Sequence, residues 1–350
     1  MKRRNFLNNA FAGISVLPIL QIFPYLEKKS KNSISEKLSE KGKILPPVLN
    51  ANSKIAITAP ASPTSMYEIR HSLRFFKSLG LDVEIGKTIK EQKNRYRYLS
   101  APDEYRAEEF MEFVKRDDID AISFARGGYG VMRILHLLDF EKIRSDPKIY
   151  IGYSDMTALL YAIYKITGII TFHGPVASSK YDYFTKQHFK KILTNYEVQL
   201  SNTHSGMIIV NEGNAKGELV GGNLTMISST LGTDYEIDTE GKILFLEDVS
   251  EDAYNIDRML TQLRLSGKLH QAAAIVFGDF KKLNIRRPFF PNRGFTIREV
   301  IHQIVKPVGV PTVIGLPFGH TKSKMTLPIG IQGKLDTDTK KFEIIEDTVS

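Results

Sequence analysis

Lys148-Ile-Tyr-Ile-Gly-Tyr-Ser-Asp-Met156 opens on a short apolar run, turns at Gly152 and continues as the helical pattern Met156–Lys165. Strand, sharp turn and helix in so few residues form the repeating unit of a parallel sheet with helices on its faces. The same alternation extends N-terminally. Lys54-Ile-Ala-Ile-Thr-Ala-Pro60 precedes a helical pattern from Met66 to Leu79, and the short apolar run Leu81–Ile85 precedes a charged helix around Asp103–Arg116. The apolar run Ile119–Ala125 leads into a short helix from Tyr129. In such sheets ligands sit beyond the carboxyl ends of the strands. Those ends carry Ala61-Ser62-Pro63, Arg126-Gly127-Gly128-Tyr129-Gly130 and Tyr153-Ser154-Asp155.

The pattern changes after Lys180. Residues 181–216 are weaker and more polar and read as a helix followed by a connection between domains. Beyond them, strand-like Lys242–Leu246, Ala272–Phe277, Thr312–Ile314 and Thr326–Ile331 mix with helical patterns at Asn223–Leu231, Asn255–Leu265 and Ile297–Val305. The expected organisation is an α/β domain over 51–180 and a second, smaller mixed α+β domain over 217–350.

Composition narrows the function. The formal charge is +9 over 350 residues, but residues 1–50 hold nine Lys/Arg against three Asp/Glu, so the remainder is close to balanced. No basic stripe interleaved with aromatics follows, and nucleic acid is not an expected partner. The chain has no cysteine, which excludes disulfides, thiolate nucleophiles and Cys-ligated metals. Its eight histidines include no His-Glu-x-x-His pair, so no metal and no cofactor is expected.

At the N-terminus, Lys2-Arg3-Arg4-Asn5-Phe6-Leu7 precedes an apolar stretch from Ala10 to Phe23, resembling a twin-arginine export signal. A basic start on a short buried helix is the alternative. Pro18 interrupts the stretch, which is shorter than the ~20 residues of a membrane span, so an uncleaved anchor ranks second. Residues 1–27 are read as signal or anchor and 28–50 as a polar linker. The expected location is periplasmic or exported, with the cytoplasm as alternative, and membrane contact only through this segment.

Ser154 sits where a turn would lift its hydroxyl above the sheet, a nucleophile-elbow geometry, although serine is equally a favoured helix N-cap. The full Gly-x-Ser-x-Gly pattern is absent because Met156 holds its last position. A serine nucleophile needs a base and an orienting acid. His320, in Gly315-Leu-Pro-Phe-Gly-His-Thr321, and His173, in Thr171-Phe-His-Gly-Pro175, both follow apolar runs and both qualify as base or as structural histidine. Glu247, at the end of Ile243-Leu-Phe-Leu-Glu247, reads as the acid or as a solvated strand-end carboxylate.

Together these segments resemble the LD-carboxypeptidase family, the S66 serine peptidases, whose near relatives include the microcin C immunity peptidases. The matching blocks are the opening Ile-Thr-Ala-Pro-Ala-Ser-Pro63, Ala125-Arg-Gly-Gly-Tyr-Gly130, Ile151-Gly-Tyr-Ser-Asp155, His173-Gly-Pro175, Gly217-Glu-Leu-Val-Gly-Gly-Asn223, Leu246-Glu-Asp248 with Ile256-Asp-Arg258, and Phe318-Gly-His320. They run in family order over roughly residues 52–335. The resemblance implies Ser154 as nucleophile, His320 as general base and Glu247 as its orienter, leaving His173 a structural or pocket role. It implies a flavodoxin-like N-terminal domain, a homodimer, and murein tetrapeptides cut between a diamino acid such as diaminopimelate and a terminal D-alanine; the alternatives are a same-fold hydrolase of a modified peptide or peptide-nucleotide conjugate, and a non-catalytic murein-peptide binder that keeps the fold.

Other motifs can be placed in that picture. Gly127-Gly128 offers backbone amides that no side chain blocks: those of Gly128 and Asp155 are candidates for an oxyanion hole and Gly127 is a substrate-binding candidate, while the phosphate-loop patterns Gly-x-x-x-x-Gly-Lys-Ser/Thr and Gly-x-Gly-x-x-Gly are absent. Arg126, beside Gly127, is a candidate for a substrate carboxylate or for a salt bridge between the domains. Glu218 and Asn223 read as substrate-binding candidates in a Gly-rich turn, with plain turn and cap roles as the alternative.

Overall fold

The computed structural model describes residues 42–91, 96–194, 204–278 and 294–350. The arginine pair, the apolar stretch and the first part of the linker lie outside the described residues.

Five parallel strands build the first sheet: β1 (Lys54–Thr58), β2 (Asp82–Ile85), β3 (Ala121–Phe124), β4 (Ile149–Gly152) and β5 (Thr171–His173). Their spatial order, β2-β1-β3-β4-β5, is the flavodoxin-like order of a doubly wound sheet. Alternation along β1, β3 and β4 feeds two cores. Ile55, Ile57, Ile149 and Ile151 pack with Phe75 and Phe76 of helix α1 (Arg70–Ser78), whereas Ala56, Ile122, Phe124 and Tyr150 face Phe110 and Phe113 of α2 (Asp103–Val114). Burial on both faces explains why β1, β3 and β4 read as apolar runs.

The second sheet holds seven strands. β6 (Ile208–Asn211), β7 (Asn214–Asn223), β8 (Ile243–Glu247), β9 (Ala274–Gly278) and β10 (Thr312–Leu316) precede β11 (Leu327–Ile329), β12 (Gln332–Asp336) and β13 (Lys341–Ile344) in the chain. All but β11 form the order β13-β12-β7-β8-β9-β10-β6, parallel from β7 to β10 and antiparallel at both edges.

Helix α3 (Thr157–Thr167), which follows Ser154, joins the two units. Leu159, Leu160 and Ile163 are fully buried, each contributing about 1.5–3 kcal/mol by burial. Its N-terminal half reaches the second unit: the Asn223 amide donates to Thr157 Oγ1 at 3.0 Å, and the Asp238 amide donates to Tyr161 Oη at 2.8 Å. The apolar core runs unbroken from α3 into Leu219, Val220, Leu224 and Phe245.

Several expected boundaries differ. The helix expected at the start of 181–216 is α4 (Tyr183–Leu193), whose Phe189 and Leu193 pack beneath the first sheet, but the connection after it also holds β6, an edge strand of the second. Within the expected linker, Ile44 pairs with Ile169, and Leu49 is buried and pairs with Thr194, because apolar side chains interrupt that polar stretch. The chain also returns late: β11, from the expected second domain, adds antiparallel to β5 of the first sheet. Finally, the glycine-rich 217–223 is not a turn but the end of a ten-residue central strand. A Cβ at Gly221 would come within 1.9 Å of the Phe245 carbonyl oxygen, so the glycine marks close backbone approach.

Candidate active site

Ser154 adopts φ 67°, a left-handed conformation that costs a non-glycine residue of order 1–2 kcal/mol. It begins a single 3-10 turn, Ser154–Met156, that leads directly into α3. The Asp155 side chain stiffens the turn by accepting from the Val131 amide at 2.9 Å. Burial pushes the Asp155 carboxyl up, against the pull of that amide and of Arg106. Gly127 closes the other side: a Cβ there would stand 2.7 Å from Ser154 Oγ and 3.3 Å from the Asp155 amide nitrogen. Gly128, at φ 108°, lies against Ser62, whose Oγ accepts from the Tyr129 amide. The loops after β1, β3 and β4 therefore meet at Ser154.

Glu247 ends β8, buried and in register with Asn223 at the end of β7. His320 Nδ1 lies 2.6 Å from Glu247 Oε2, and the His320 amide donates to the same oxygen at 3.2 Å. Two contacts to one oxygen fix the ring and leave Nε2 as its other nitrogen. Gly319, at φ 78°, makes this possible, since a Cβ would reach within 2.3 Å of Glu247 Oε2. Burial pushes the Glu247 carboxyl up, but His320, His173 and Asn223 outweigh it and leave the group below its ordinary value.

Ser154 and His320 line one cleft of about 570 Å³, together with Arg126, Gly127, Gly128 and Tyr153. Among the described residues Ser154 Oγ forms no hydrogen bond with the ring, and catalytic contacts of this kind commonly tighten only with substrate bound. The Tyr153 ring stands edge-on to His320 at 4.7 Å, and burial pushes its phenol up to about 12.

The remaining candidates separate. Asn223 does not line the cleft: its Oδ1 accepts from the Met226 amide, capping α5 (Leu224–Thr230). Its Nδ2 donates to Asp248 Oδ1 at 3.1 Å and Glu247 Oε1 at 3.4 Å, placing it behind the acid. Glu218 is also away from the cleft, accepting from Tyr164 Oη at 2.9 Å and pairing with Lys43 at 3.0 Å. Four residues of β7 separate it from Asn223, because the segment is extended rather than turned. Arg126 lies at the cleft, 3.5 Å from Glu68, a residue of the same unit, so that contact does not bridge the domains. His173 is fully buried between Phe245 and Phe318, and burial drives its imidazole down to about 4. Sequence reasoning passed over Asp248, which accepts from Thr225 and Asn223 and whose carboxyl burial and Glu247 raise to about 6. Among the described residues no cluster of acidic and histidine side chains is arranged to hold a metal ion.

Comparison with known proteins agrees with this architecture. Profiles of the LD-carboxypeptidase N-terminal and C-terminal domains match residues 55–174 and 216–335. The chain is 38% identical over 310 residues to the probable murein peptide carboxypeptidase of Bacillus subtilis, covering 87% of this chain and 95% of that protein. Its structure is similar to MccF in complex with glutamyl sulfamoyl guanosine, with TM-score 0.77 at 26% identity over 87% of this chain and 99% of that one. It is also similar to muramoyltetrapeptide carboxypeptidase from Oxalobacter formigenes, with TM-score 0.70 at 32% identity over 83% and 97%. A two-domain match in chain order, on a fold whose sheet ends converge on a strained serine, places the chain in the LD-carboxypeptidase family of serine peptidases, as a carboxypeptidase-type hydrolase.

Proposed function

We propose that the chain hydrolyses the bond between a diamino acid and a C-terminal D-alanine in murein tetrapeptides, through an acyl-enzyme on Ser154. The observation that carries this reading is the shared cleft of Ser154 and His320, with Glu247 bonded to the far side of the imidazole. Ser154 Oγ attacks the amide carbonyl carbon while His320 Nε2 takes its proton. Glu247 holds Nδ1–H and stabilises the imidazolium that forms. The amides of Gly128 and Asp155 receive the oxyanion. His320 then returns the proton to the departing D-alanine nitrogen, and water, activated by the same imidazole, releases the acyl group. Arg126 meets the free carboxylate that distinguishes a C-terminal residue.

The similarity to MccF supports a second reading on the same machinery, in which a peptide conjugate is cut instead. The higher sequence identity to the murein peptide carboxypeptidase favours the first. For the encounter with murein, we propose export on the strength of Arg3-Arg4, testable by fractionating cells that express the Arg3→Lys, Arg4→Lys chain.

The test incubates the purified protein and its Ser154→Ala variant with a murein tetrapeptide and follows D-alanine by mass spectrometry. Release by the wild type and none by the variant is the expected result. A folded wild type that releases nothing sinks the reading.

A further inference from the structure

Ser154 and His320 hang from different sheets. Ser154 follows β4 of the first sheet, whereas β10, which leads toward His320, lies in the second. The loop 317–326 therefore crosses from one unit to the other, and its far end becomes β11 on the first sheet. On the near side Glu247 holds the imidazole from the second unit. On the far side the head of α4 receives the loop. Asp182 Oδ2 accepts from Ser323 Oγ at 2.6 Å, and Thr185 Oγ1 accepts from the Lys324 amide at 3.0 Å. Asp182 is also the N-cap of α4, its Oδ1 accepting from the Thr185 amide at 2.9 Å, so each carboxylate oxygen has its own donor. Desolvation pushes this carboxyl up, but the Ser323 hydroxyl, Thr185 and the charge of Lys324 outweigh it and hold the group below its ordinary value. The helix is itself fixed to the first unit: the Phe189 ring stands edge-on to Phe75 at 5.3 Å and packs against Phe76 at 5.6 Å. Within the loop the Met325 amide donates to the Pro317 carbonyl at 2.6 Å, Lys324 Nζ donates to the Thr321 carbonyl, and Thr321 Oγ1 donates to the Ser323 carbonyl. A loop closed on itself in this way passes a displacement at Ser323 on to His320 instead of absorbing it.

An imidazole that takes the Ser154 proton has to come within hydrogen-bond reach of it, so its loop needs a reference on the unit that carries the serine. Glu247 orients the ring but belongs to the other unit. The pairing of β11 with β5 begins only at Leu327, whereas Ser323 is close to His320 in the chain. We propose that Asp182 is a positioning residue for the reaction: through Ser323 it ties the His320 loop to the nucleophile's unit and sets the approach of Nε2 to Ser154. Asp182 does not line the cleft and acts through the loop alone. This inference rests on the reading above in which His320 is the base, and adds what holds that base in register with the serine.

The test cuts this one bond from each end. Ser323→Ala removes the donor, and Asp182→Ser keeps an N-cap for α4 with a side chain too short to reach Ser323. With a murein tetrapeptide each variant is expected to lower kcat about tenfold, short of the ~10²-fold of a full ångström misplacement, with KM within about twofold of the wild type. The double variant should lose no more than either single one, because both remove the same bond. Ser323→Thr, which keeps a hydroxyl, should restore kcat. Unchanged kcat in Ser323→Ala, losses that multiply to about a hundredfold in the double variant, or a loss that threonine does not rescue overturns the positioning role and leaves the carboxypeptidase reading intact. If the wild type does not cleave the tetrapeptide, that reading fails, and labelling of Ser154 by a fluorophosphonate, which needs an activated serine but no peptide, decides the positioning role separately. Labelling slowed about tenfold in Ser323→Ala supports it. Labelling at the wild-type rate in that variant, or none in the wild type, overturns it.

Discussion

Gly127 lies against Ser154 so closely that a Cβ at position 127 would stand 2.6 Å from Ser154 Cβ and 2.7 Å from its Oγ. Neither residue has room to yield, because Ser154 is held in a left-handed turn at the head of a buried helix. Gly127→Ala is therefore expected to lower kcat by about 10²-fold or more, the loss that follows a misplacement of order 1 Å. Steady-state kinetics beside a thermal melt checks this. Unchanged kcat in a folded variant would contradict the packing argument.

The strain at Ser154 gives a second expectation. Glycine adopts φ 67° freely, whereas alanine does not, so Ser154→Gly should be more stable than Ser154→Ala by about 1 kcal/mol, with both inactive. Urea unfolding of the two variants measures the difference. An alanine variant as stable as the glycine variant would mean that the turn stores no strain.

The buried Asp248 carboxyl sets a pH dependence. Its folded value near 6, against an ordinary 3.8, means that the folded state favours the protonated form. The associated stability is fully present below about pH 4 and is lost as pH rises through 6. A difference of that size corresponds to ~3 kcal/mol. The stability of the wild type minus that of Asp248→Asn should accordingly fall by about that amount between pH 4 and pH 7. Chemical denaturation at intervals across this range tests the sign; a gap that widens with pH would refute it.

Asn223 and Glu218 should behave differently despite sharing a strand. Asn223→Ala removes the α5 cap and the amide behind Glu247, costing about 1 kcal/mol of stability for the cap. Its kcat should also fall at least about tenfold, because Glu247 loses one of the contacts that aim it. Glu218→Gln, bonded to Tyr164 and Lys43 instead, should leave kcat/KM within about twofold, since it sits beyond the cleft. Parallel kinetics on the pair checks the placement; a large loss from Glu218→Gln would return it to the site.

Local chemistry was sufficient for some of this. The strand-turn-helix at Lys148–Lys165, the apolar runs of β1, β3 and β4 and the glycines around Arg126 are short-range patterns that periodicity and turn chemistry reveal directly. Ordered motif blocks singled out Ser154, Glu247 and His320 across more than 160 positions, because residue types recur where chemistry demands them.

Tertiary structure alone decided the rest. Whether Gly217–Asn223 turns or extends depends on β8 lying alongside it, since glycine permits both and only the Phe245 carbonyl makes it necessary. The return of Leu327–Ile329 to β5 depends on a partner more than 150 residues away. Arg126 was legible as a cation, but its pairing with Glu68 arises from loops brought together at the sheet's carboxyl edge. Sequence expresses what each residue can do with its near neighbours; the packing of two sheets about α3 determined which distant residues became neighbours.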